Sequence, residues 1–250
     1  GYTAGRFPLV EVFELPFMMT STEGTSKALW DYVQTYAPKE FADVKLLATH
    51  VHGPGVFHTV NKPIRTLADL KGMKVRAPTR QTNRFLGALG ATPVAMPVPQ
   101  VGEALSKGVI DGAVIPYEVV PSVKVQELTK FHSETDPALP AFYTSTFIFA
   151  MNKAKYDALP PDLKKVIDAN SGQVLSGEVG RAFIAADVIG KKTIAPNTIN
   201  VIPKEELEGW VKLGVPLADA WVSDVTAKGA NGKQLYDGAK ALITKHSAGR

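Results

Sequence analysis

Arg76 is the residue whose type and position point most directly to chemistry. It follows the short strand-like run 73–75 and is followed closely by Pro78, so it is predicted to stand at the carboxyl end of a strand. In an open α/β sheet, that end of a strand faces the ligand crevice. A guanidinium placed there can donate two parallel hydrogen bonds to a carboxylate. A surface arginine or one used only in lobe packing is the alternative.

Two further arginines follow on a predicted helix that starts at Thr79. Arg80 and Arg84 are four residues apart and therefore share one helix face. They could meet a second carboxylate of a ligand, or they could form a solvated face. Arg80 is the better candidate for a ligand contact because it lies in the first turn of the helix.

The histidines are candidates for metal binding or for hydrogen bonding to a ligand. His50 and His52 alternate along an extended segment, but no third ligand stands at a recognisable spacing, so neither a metal nor a cofactor is predicted. His58 lies two residues after Val56 and would share its face. Its imidazole could donate to a ligand, or it could be an ordinary half-buried histidine.

Tyrosines follow two of the predicted strands. Tyr117 comes directly after strand 111–115 and Pro116, where its ring or hydroxyl could contact a ligand. Glu118 is expected to cap the next helix, because an unpaired carboxylate would repel an anionic ligand. Tyr143 opens a β segment at 144–151, and either a cleft contact or packing at a hinge would explain it.

The elements that must position these residues form a regular alternation from Arg65 onward. Thr66 can cap a helix at 67–71, and Gly72 can end it. Short strands and helices then alternate, which predicts a parallel sheet with helices on its faces and loops opening on one edge. The strands are 73–76, 92–96 and 111–115, and the helices are 79–89, 99–107 and 118–125.

The remaining segments predict a mixed α/β chain. Residues 7–17 alternate and contain prolines, which favours a strand followed by a loop. Gly53, Pro54 and Gly55 separate two strand-like runs and form a candidate hinge. Residues 159–193 have helical periodicity throughout and are predicted to form one very long helix between two lobes. The other predicted elements are helix 23–36, strands 44–49, 56–60 and 199–202, and helices 204–226 and 233–245.

Composition excludes several classes of protein. The chain has 250 residues, 45% of them hydrophobic, which is enough for a large core. The net charge of +4 comes from basic residues interleaved with acidic ones, so no nucleic-acid partner is predicted. Absence of cysteine removes disulfides and thiol catalysis. The chain opens on GYTAGRFPL without an initiator methionine or a signal peptide, as expected of a processed or cut product.

Three segments together resemble one family of transport proteins. They are LADLKGMKVRAP (67–78), LGATPVAMPVPQVGEALSKGVIDGAVIP (89–116) and FAMNKAKYDALPPDLKKVIDAN (149–170). In this order they resemble the DctP-type solute-binding proteins of TRAP (tripartite ATP-independent periplasmic) transporters. The resemblance implies a periplasmic, non-catalytic receptor that delivers a small organic acid to a membrane permease. It also implies two α/β lobes that are joined by hinge strands and a long interlobe helix, with Arg76 holding the carboxylate of the substrate.

The resemblance also suggests that a piece of the first lobe is missing. Members of the family carry further strands and helices before the segment that GYTAGRFPL matches, so lobe one is expected to be incomplete. The expected lobes are residues 1–52 with 143–182 (lobe one, truncated) and residues 53–142 with 183–250 (lobe two). Apolar surface exposed on lobe one would favour self-association. Tyr2 falls in a region that contacts ligand in the family.

Three apolar residues restrict the substrate that the resemblance implies. Val56, Val98 and Ile115 align with the arginine, aromatic and asparagine side chains of sialic-acid-binding members. Sugar hydroxyls would face groups that cannot form hydrogen bonds here, which argues against such a substrate. An acid with an aromatic or apolar body fits these residues better, together with Tyr117 and Phe142.

Three functional hypotheses follow. The first is a receptor that closes on a carboxylate at Arg76. The second is an enzyme acting on an organic acid, for which the chain offers no GxSxG, Walker-type, GxGxxG or HExxH motif. The third is a truncated chain that binds nothing and associates with itself.

Overall fold

The computed structural model describes residues 3–247, which contain eight strands and ten α-helices. The strands are β1 (Val44–Val51), β2 (Val56–Thr59), β3 (Lys74–Ala77), β4 (Thr92–Ala95), β5 (Gly112–Ile115), β6 (Phe131–Thr135), β7 (Thr146–Asn152) and β8 (Ile199–Ile202). The helices are α1 (Thr22–Tyr36), α2 (Leu67–Leu70), α3 (Arg80–Ala88), α4 (Val101–Ser106), α5 (Val125–Leu128), α6 (Lys153–Asp157), α7 (Pro161–Ala169), α8 (Gln173–Lys191), α9 (Lys204–Thr226) and α10 (Gly232–Ser247).

The larger sheet of the described residues has the strand order β4-β3-β5-β2-β6-β8. β3 is parallel to β4 and β5, as the alternation of elements predicts, and β6 is parallel to β8. β2 runs antiparallel to β5 and β6, so the sheet is mixed, although the three strands predicted to be parallel are parallel. The carboxyl ends of β3, β4, β5 and β6 and the amino end of β2 therefore lie along one side, called here the strand-end edge.

The smaller sheet consists of β1 paired antiparallel with β7. Val51 at the end of β1 lies opposite Thr146 at the start of β7, so the chain leaves and re-enters this sheet at the same place. Residues 52–55 lead from β1 into the larger sheet, and residues 143–145 lead back to β7. These two connections are called the crossing segments.

The C-terminal helices pack against both parts of the molecule. Trp210 in the first half of α9 lies in a hydrophobic cluster with Phe57 and Phe85 of the larger sheet and its helix α3. Trp221 in the second half of α9 packs with Tyr32 of α1 in a different cluster, which also contains α10 residues. The lobe boundaries predicted from the sequence remain a prediction, and this packing favours assigning the end of α9 and α10 to the first lobe.

The single long helix predicted over residues 159–193 is wrong. Two helices, α7 and α8, replace it because Gly172 adopts φ +94° and ψ −151°, a conformation that only glycine tolerates well. The Gly172 N–H donates to the carbonyl of Leu47 in β1 at 2.7 Å. Apolar periodicity continues across the break, which is why the pattern alone conceals it.

Two other local predictions differ from the structure. Residues 7–17 contain a 3₁₀-helix (Val10–Glu14) whose five residues are all buried, so their alternation does not mark a half-buried strand. The helix expected at 118–125 is reduced to a 3₁₀-turn (Tyr117–Val119), and Lys124 at φ +54° precedes the short α5. Among residues 3–247, no helix combines the length and apolarity needed to cross a bilayer.

Candidate functional site

Local sequence signals place Arg76 at the strand-end edge. The Thr66 and Asp69 side chains form a capping box that starts α2. Gly72 then turns the chain at φ +71° and donates its N–H to the carbonyl of Gly90. The Asp111 carboxylate accepts the N–H of Lys74 at 2.8 Å, which fixes the start of β3 beside β5. Arg76 follows two residues later.

The Arg76 side chain is fully buried. Its Nε donates to the carbonyl of Met96 and its Nη1 to the carbonyl of Val114, both at 3.0 Å. These acceptors belong to the chain at the ends of β4 and β5, so they fix the plane of the guanidinium across neighbouring strands. Carbonyl groups carry no net charge, and a carboxylate would pair with the cation far more strongly than they do.

Tyr143 and His52 lie on the two crossing segments and contact each other. The Tyr143 hydroxyl is 2.9 Å from His52 Nε2, and both side chains are buried. A Cβ on Gly55 would lie 2.1 Å from Cδ1 of Tyr143, so only glycine allows the ring to pack there. Burial, together with the positive charge of Arg76, lowers the pKa of His52 to about 3. The Arg76 cation is therefore close enough to act on this pair.

His58 is buried between protein partners. Its Nδ1 lies 2.7 Å from Nδ1 of His132, and its Nε2 lies 3.3 Å from the carbonyl of Ile115. Burial lowers the pKa of His58 to about 3 and that of His132 to about 4, so both rings are neutral at pH 7. Both ring nitrogens of His58 thus have partners within the chain, and its contact with a ligand remains a prediction.

The apolar residues predicted to contact the ligand differ in how deeply they are buried. Val56 lies opposite Ile115 across the β2–β5 pair, and both are buried in one hydrophobic cluster. Val98, in the 3₁₀-helix Val98–Gln100, is partly exposed. Phe142 is buried and stacks on Phe57 with ring centroids 4.8 Å apart, inside the core. Tyr2 lies outside the described residues.

Arg80 is paired with carboxylates of the chain itself. It donates to Glu11 through Nε at 3.0 Å and through Nη2, and Asp224 lies 3.8 Å from its Nη1. Arg84 also bonds Asp224, at 3.2 Å. Arg80 lines a cavity of about 400 Å³ together with Thr3, Phe7, Glu14 and Thr146. Its role as a contact for a second ligand carboxylate remains a prediction.

A second cavity, of about 440 Å³, lies farther along the strand-end edge, beside the end of α8. Val56, Tyr117, Glu134, Asp187 and Lys191 are among its lining residues. Lys191 forms an ion pair with Glu134 and lies 5.3 Å from the centroid of the Tyr117 ring. Burial, with the nearby Glu134 carboxylate, raises the pKa of Tyr117, and its hydroxyl makes no hydrogen bond of normal geometry within residues 3–247.

Asp187 and His52 are residues that the sequence does not single out as functional. Asp187 Oδ1 accepts the N–H of Glu118 at 2.8 Å, so Asp187 caps the turn that Glu118 was expected to cap. The sequence does contain a signal that His52 lies near a hinge, because it directly precedes Gly53, Pro54 and Gly55. In the described part of the chain, no group of three or more His, Cys, Asp or Glu residues could hold a metal ion.

Comparison with known proteins identifies the family. The model of the family "Bacterial extracellular solute-binding protein, family 7" (DctP) matches residues 1–224. A TRAP solute-binding protein from Rhodoferax ferrireducens T118, solved with copurified benzoate, is 57% identical with a TM-score of 0.96, over 99% of this chain and 77% of that one.

Two further relatives agree. A marine metagenome TRAP solute-binding protein specific for aromatic acid ligands, solved with 3-hydroxybenzoate, is 46% identical with a TM-score of 0.95, over 98% of this chain and 77% of that one. The 2,3-diketo-L-gulonate-binding periplasmic protein YiaO of Escherichia coli (strain K12) is 29% identical, over 89% of this chain and 67% of that protein. The chain, with its two-lobed α/β fold, therefore belongs to the DctP family of bacterial extracellular solute-binding proteins.

Proposed function

We propose that this protein is the periplasmic solute receptor of a TRAP-type transporter and that its solute is a small aromatic carboxylate such as benzoate. The observation that carries the proposal is the buried guanidinium of Arg76, held at the strand-end edge by the carbonyls of Met96 and Val114. A cation fixed in one plane and shielded from water suits the bidentate geometry of a carboxylate.

The residues around the edge support an aromatic body for the solute. Val56 and Ile115 are buried and apolar, and they offer no partner for the hydroxyls of a sugar acid. Each unpartnered hydroxyl would cost about 1–3 kcal/mol on transfer from water. The copurified benzoate of the Rhodoferax protein and the 3-hydroxybenzoate of the metagenome protein are ligands of the same chemistry.

The crossing segments support a receptor that closes on its solute. Only residues 52–55 and 143–145 join β1 and β7 to the elements between them, and a short pair of connections can act as a hinge. A bound anion would favour the closed form, which a membrane permease would then recognise. Residues 1–52 with 143–182, and 53–142 with 183–250, are the lobes predicted to move, with the end of α9 and α10 reassigned to the first.

Isothermal titration with benzoate tests the proposal. We expect micromolar or tighter binding, and a loss of at least about 100-fold in Arg76→Ala, because the paired charge-assisted hydrogen bonds disappear. Arg84→Ala is the matched control, since Arg84 is partly exposed and bonds Asp224 of α9, and it should keep the affinity. Circular dichroism would verify that both variants fold.

Two results would contradict the proposal. Full benzoate affinity in Arg76→Ala would remove the anchoring role, and preference for a sugar acid over benzoate would remove the aromatic substrate. Mass spectrometry after incubation would reveal any turnover of the acid, which a receptor should not show. Light scattering would test the predicted self-association.

A further inference from the structure

We propose that His52 is a positioning residue for ligand binding, which accepts the hydrogen bond of the Tyr143 hydroxyl in the solute-free protein and releases this hydroxyl to donate a hydrogen bond to the solute carboxylate. The inference rests on the proposed function, because it needs an anion bound at Arg76. It adds a second donor to that anion and names the group that orients this donor.

The backbone partners of His52 determine its tautomer. Nδ1 lies 2.6 Å from the carbonyl oxygen of Gly53, which can only accept, so Nδ1 carries the proton. Nε2 accepts the backbone N–H of Ser145 at 3.1 Å, which can only donate, so Nε2 is unprotonated. The Thr144 hydroxyl donates to the carbonyl of His52 at 3.0 Å. The ring is therefore neutral and cannot rotate without breaking bonds to both crossing segments.

The single lone pair of Nε2 is shared between two donors. Ser145 N–H points to it at 3.1 Å and the Tyr143 hydroxyl at 2.9 Å. A backbone N–H cannot turn elsewhere, but a phenolic hydroxyl can rotate about its C–O bond. When the Tyr143 proton turns to another acceptor, Ser145 still occupies Nε2, so no buried group of the pair is left unsatisfied.

The Tyr143 ring itself is held in place. Gly55 donates its N–H to the Tyr143 carbonyl at 3.1 Å, and the Gly55 backbone packs so closely against the ring that an added Cβ would clash. Only the hydroxyl proton keeps a choice of direction. Arg76 Nη1 donates to the carbonyl of Val114, whose neighbour Ile115 pairs with Val56, the residue after Gly55. Because Gly55 packs against the Tyr143 ring, an anion on Arg76 would lie at the same part of the strand-end edge as the hydroxyl.

The consequence is that solute binding changes the hydrogen bonding between the two crossing segments. Without solute, the Tyr143 proton is attracted to His52 on residues 52–55. With solute, the hydroxyl rotates and donates its hydrogen bond to the carboxylate, while His52 Nε2 still accepts the N–H of Ser145 on residues 143–145. The anion then receives hydrogen bonds from the guanidinium and from a neutral phenol, both of which strengthen in a site shielded from water.

Four variants of the whole protein test the inference by benzoate titration. Tyr143→Phe should weaken binding about 10-fold or more, as expected for a lost hydrogen bond to a charged group. Tyr156→Phe is the matched control, because the Tyr156 hydroxyl bonds Asp168 at 2.8 Å on α6 and α7, and it should leave the affinity unchanged. His52→Asn keeps a donor for Gly53 but has no acceptor at the Nε2 position, so the hydroxyl loses its partner only in the solute-free protein, and we expect about 5-fold tighter binding. His52→Gln restores an acceptor there and should remove most of this gain.

Coupling between the residues separates positioning from general stability. If His52 acts through the Tyr143 hydroxyl, the double variant His52→Asn/Tyr143→Phe should bind with the same affinity as Tyr143→Phe alone. Nitrogen NMR of the His52 ring should show the Nδ1–H tautomer with and without benzoate. The Nε2 resonance should shift when benzoate withdraws the phenol from the lone pair.

Several outcomes would overturn the inference. Unchanged affinity in Tyr143→Phe would do so even if His52→Asn failed to fold, and so would a double variant whose affinity differs from that of Tyr143→Phe alone. An Nε2 resonance that does not move at saturating benzoate would also refute it. Absence of benzoate binding by the unsubstituted protein would overturn the proposed function as well, whereas binding combined with any of the other results overturns this inference alone.

Discussion

The two ends of the strand-end edge handle buried charge in opposite ways. At the β3 end, the Arg76 guanidinium is fully buried, and its hydrogen bonds to Met96 and Val114 go to uncharged carbonyls. At the β6 end, Glu134 is paired with Lys191, and Asp187 accepts the N–H of Glu118. Under the proposed function, the first end meets the charge of the solute, whereas the charged groups of the second end bond other groups of the chain.

Exposure supports the same distinction. The Lys191 and Glu134 side chains are 45% and 20% exposed, so their ion pair is formed near solvent and contributes little. The close approach of α8 to the 117–119 turn is what holds the β6 end. A Cβ on Gly190 would lie only 2.0 Å from the carbonyl oxygen of Tyr117.

The largest expected effect is therefore on stability at the β6 end. Gly190→Ala should lower the free energy of unfolding by about 3 kcal/mol, because backbone must move to admit the methyl group. Gly209→Ala is the control, since no atom lies within 4 Å of its added Cβ, and it should be neutral or up to about 1 kcal/mol stabilising. Urea unfolding measures both, and equal stabilities would show that α8 is not held by this contact.

The next largest effect concerns ligand affinity at the β3 end. Arg76→Lys keeps the charge but loses the planar fork, so benzoate affinity should fall about 30-fold, equivalent to about 2 kcal/mol. Gly190→Ala, where it remains folded, should change affinity much less than stability. An Arg76→Lys variant that binds as tightly as the unsubstituted protein would mean that charge alone, without geometry, selects the anion.

A smaller effect should appear in the pH dependence of stability. Burial raises the pKa of Asp187 to about 6 and that of Glu118 to about 7, the latter also through the Asp187 charge. Both values exceed those of the unfolded chain, near 4, so the folded state binds protons more tightly between about pH 4 and pH 7. These two groups therefore make the free energy of unfolding fall as pH rises through that window.

Asp187→Asn isolates this contribution. The variant removes one of the two groups and one charge acting on the other, so the difference in unfolding free energy between the two proteins should shift by about 1 kcal/mol or more across the window. The buried histidines, whose lowered pKa values act in the opposite direction, are common to both proteins and cancel in the difference. Parallel curves in urea unfolding from about pH 4 to pH 8 would refute the assignment.

The smallest effect is expected for the exposed ion pair. Lys191→Met should change the free energy of unfolding by less than about 1 kcal/mol, and added salt should reduce the difference. Lys107→Met, which breaks the exposed Lys107–Glu103 pair at the end of α4, provides the comparison. A loss of several kcal/mol at Lys191 alone would show that charge pairing, rather than close packing at Gly190, attaches α8.

Local signals explain which parts of the site the sequence predicts. The capping box at Thr66, the turn at Gly72 and Pro78 are all within a few residues of Arg76, so its place at a strand end follows from neighbours in the chain. The His52–Tyr143 pair is 91 residues apart, and no periodic pattern encodes such a contact. All five residues of the 3₁₀-helix at Val10–Glu14 are buried, so its sequence lacks the difference between a buried and an exposed face from which a helix is predicted.

The strand β6 could not be predicted from the sequence because most of its residues are polar. Its residues Phe131–Thr135 carry histidine, serine, glutamate and threonine, which are unusual in an interior strand. They are tolerated because His132 meets His58 and Ser133 bonds Ile64 and Asn200, partners contributed by distant segments. The edge that holds the second cavity could be predicted only once these pairings were known.

The break at Gly172 determines how the molecule can move. α8 has 19 residues, about 28 Å of rigid rod. Gly172 and Ser176 tie its beginning to β1, whereas Asp187 ties its end to the turn after β5. A helix fixed at both ends cannot follow a large movement, so the closure proposed above would have to pivot beside Asp187. At this point the Asp187 carboxylate packs directly against the backbone of Gly53, and a Cβ on Gly53 would overlap it.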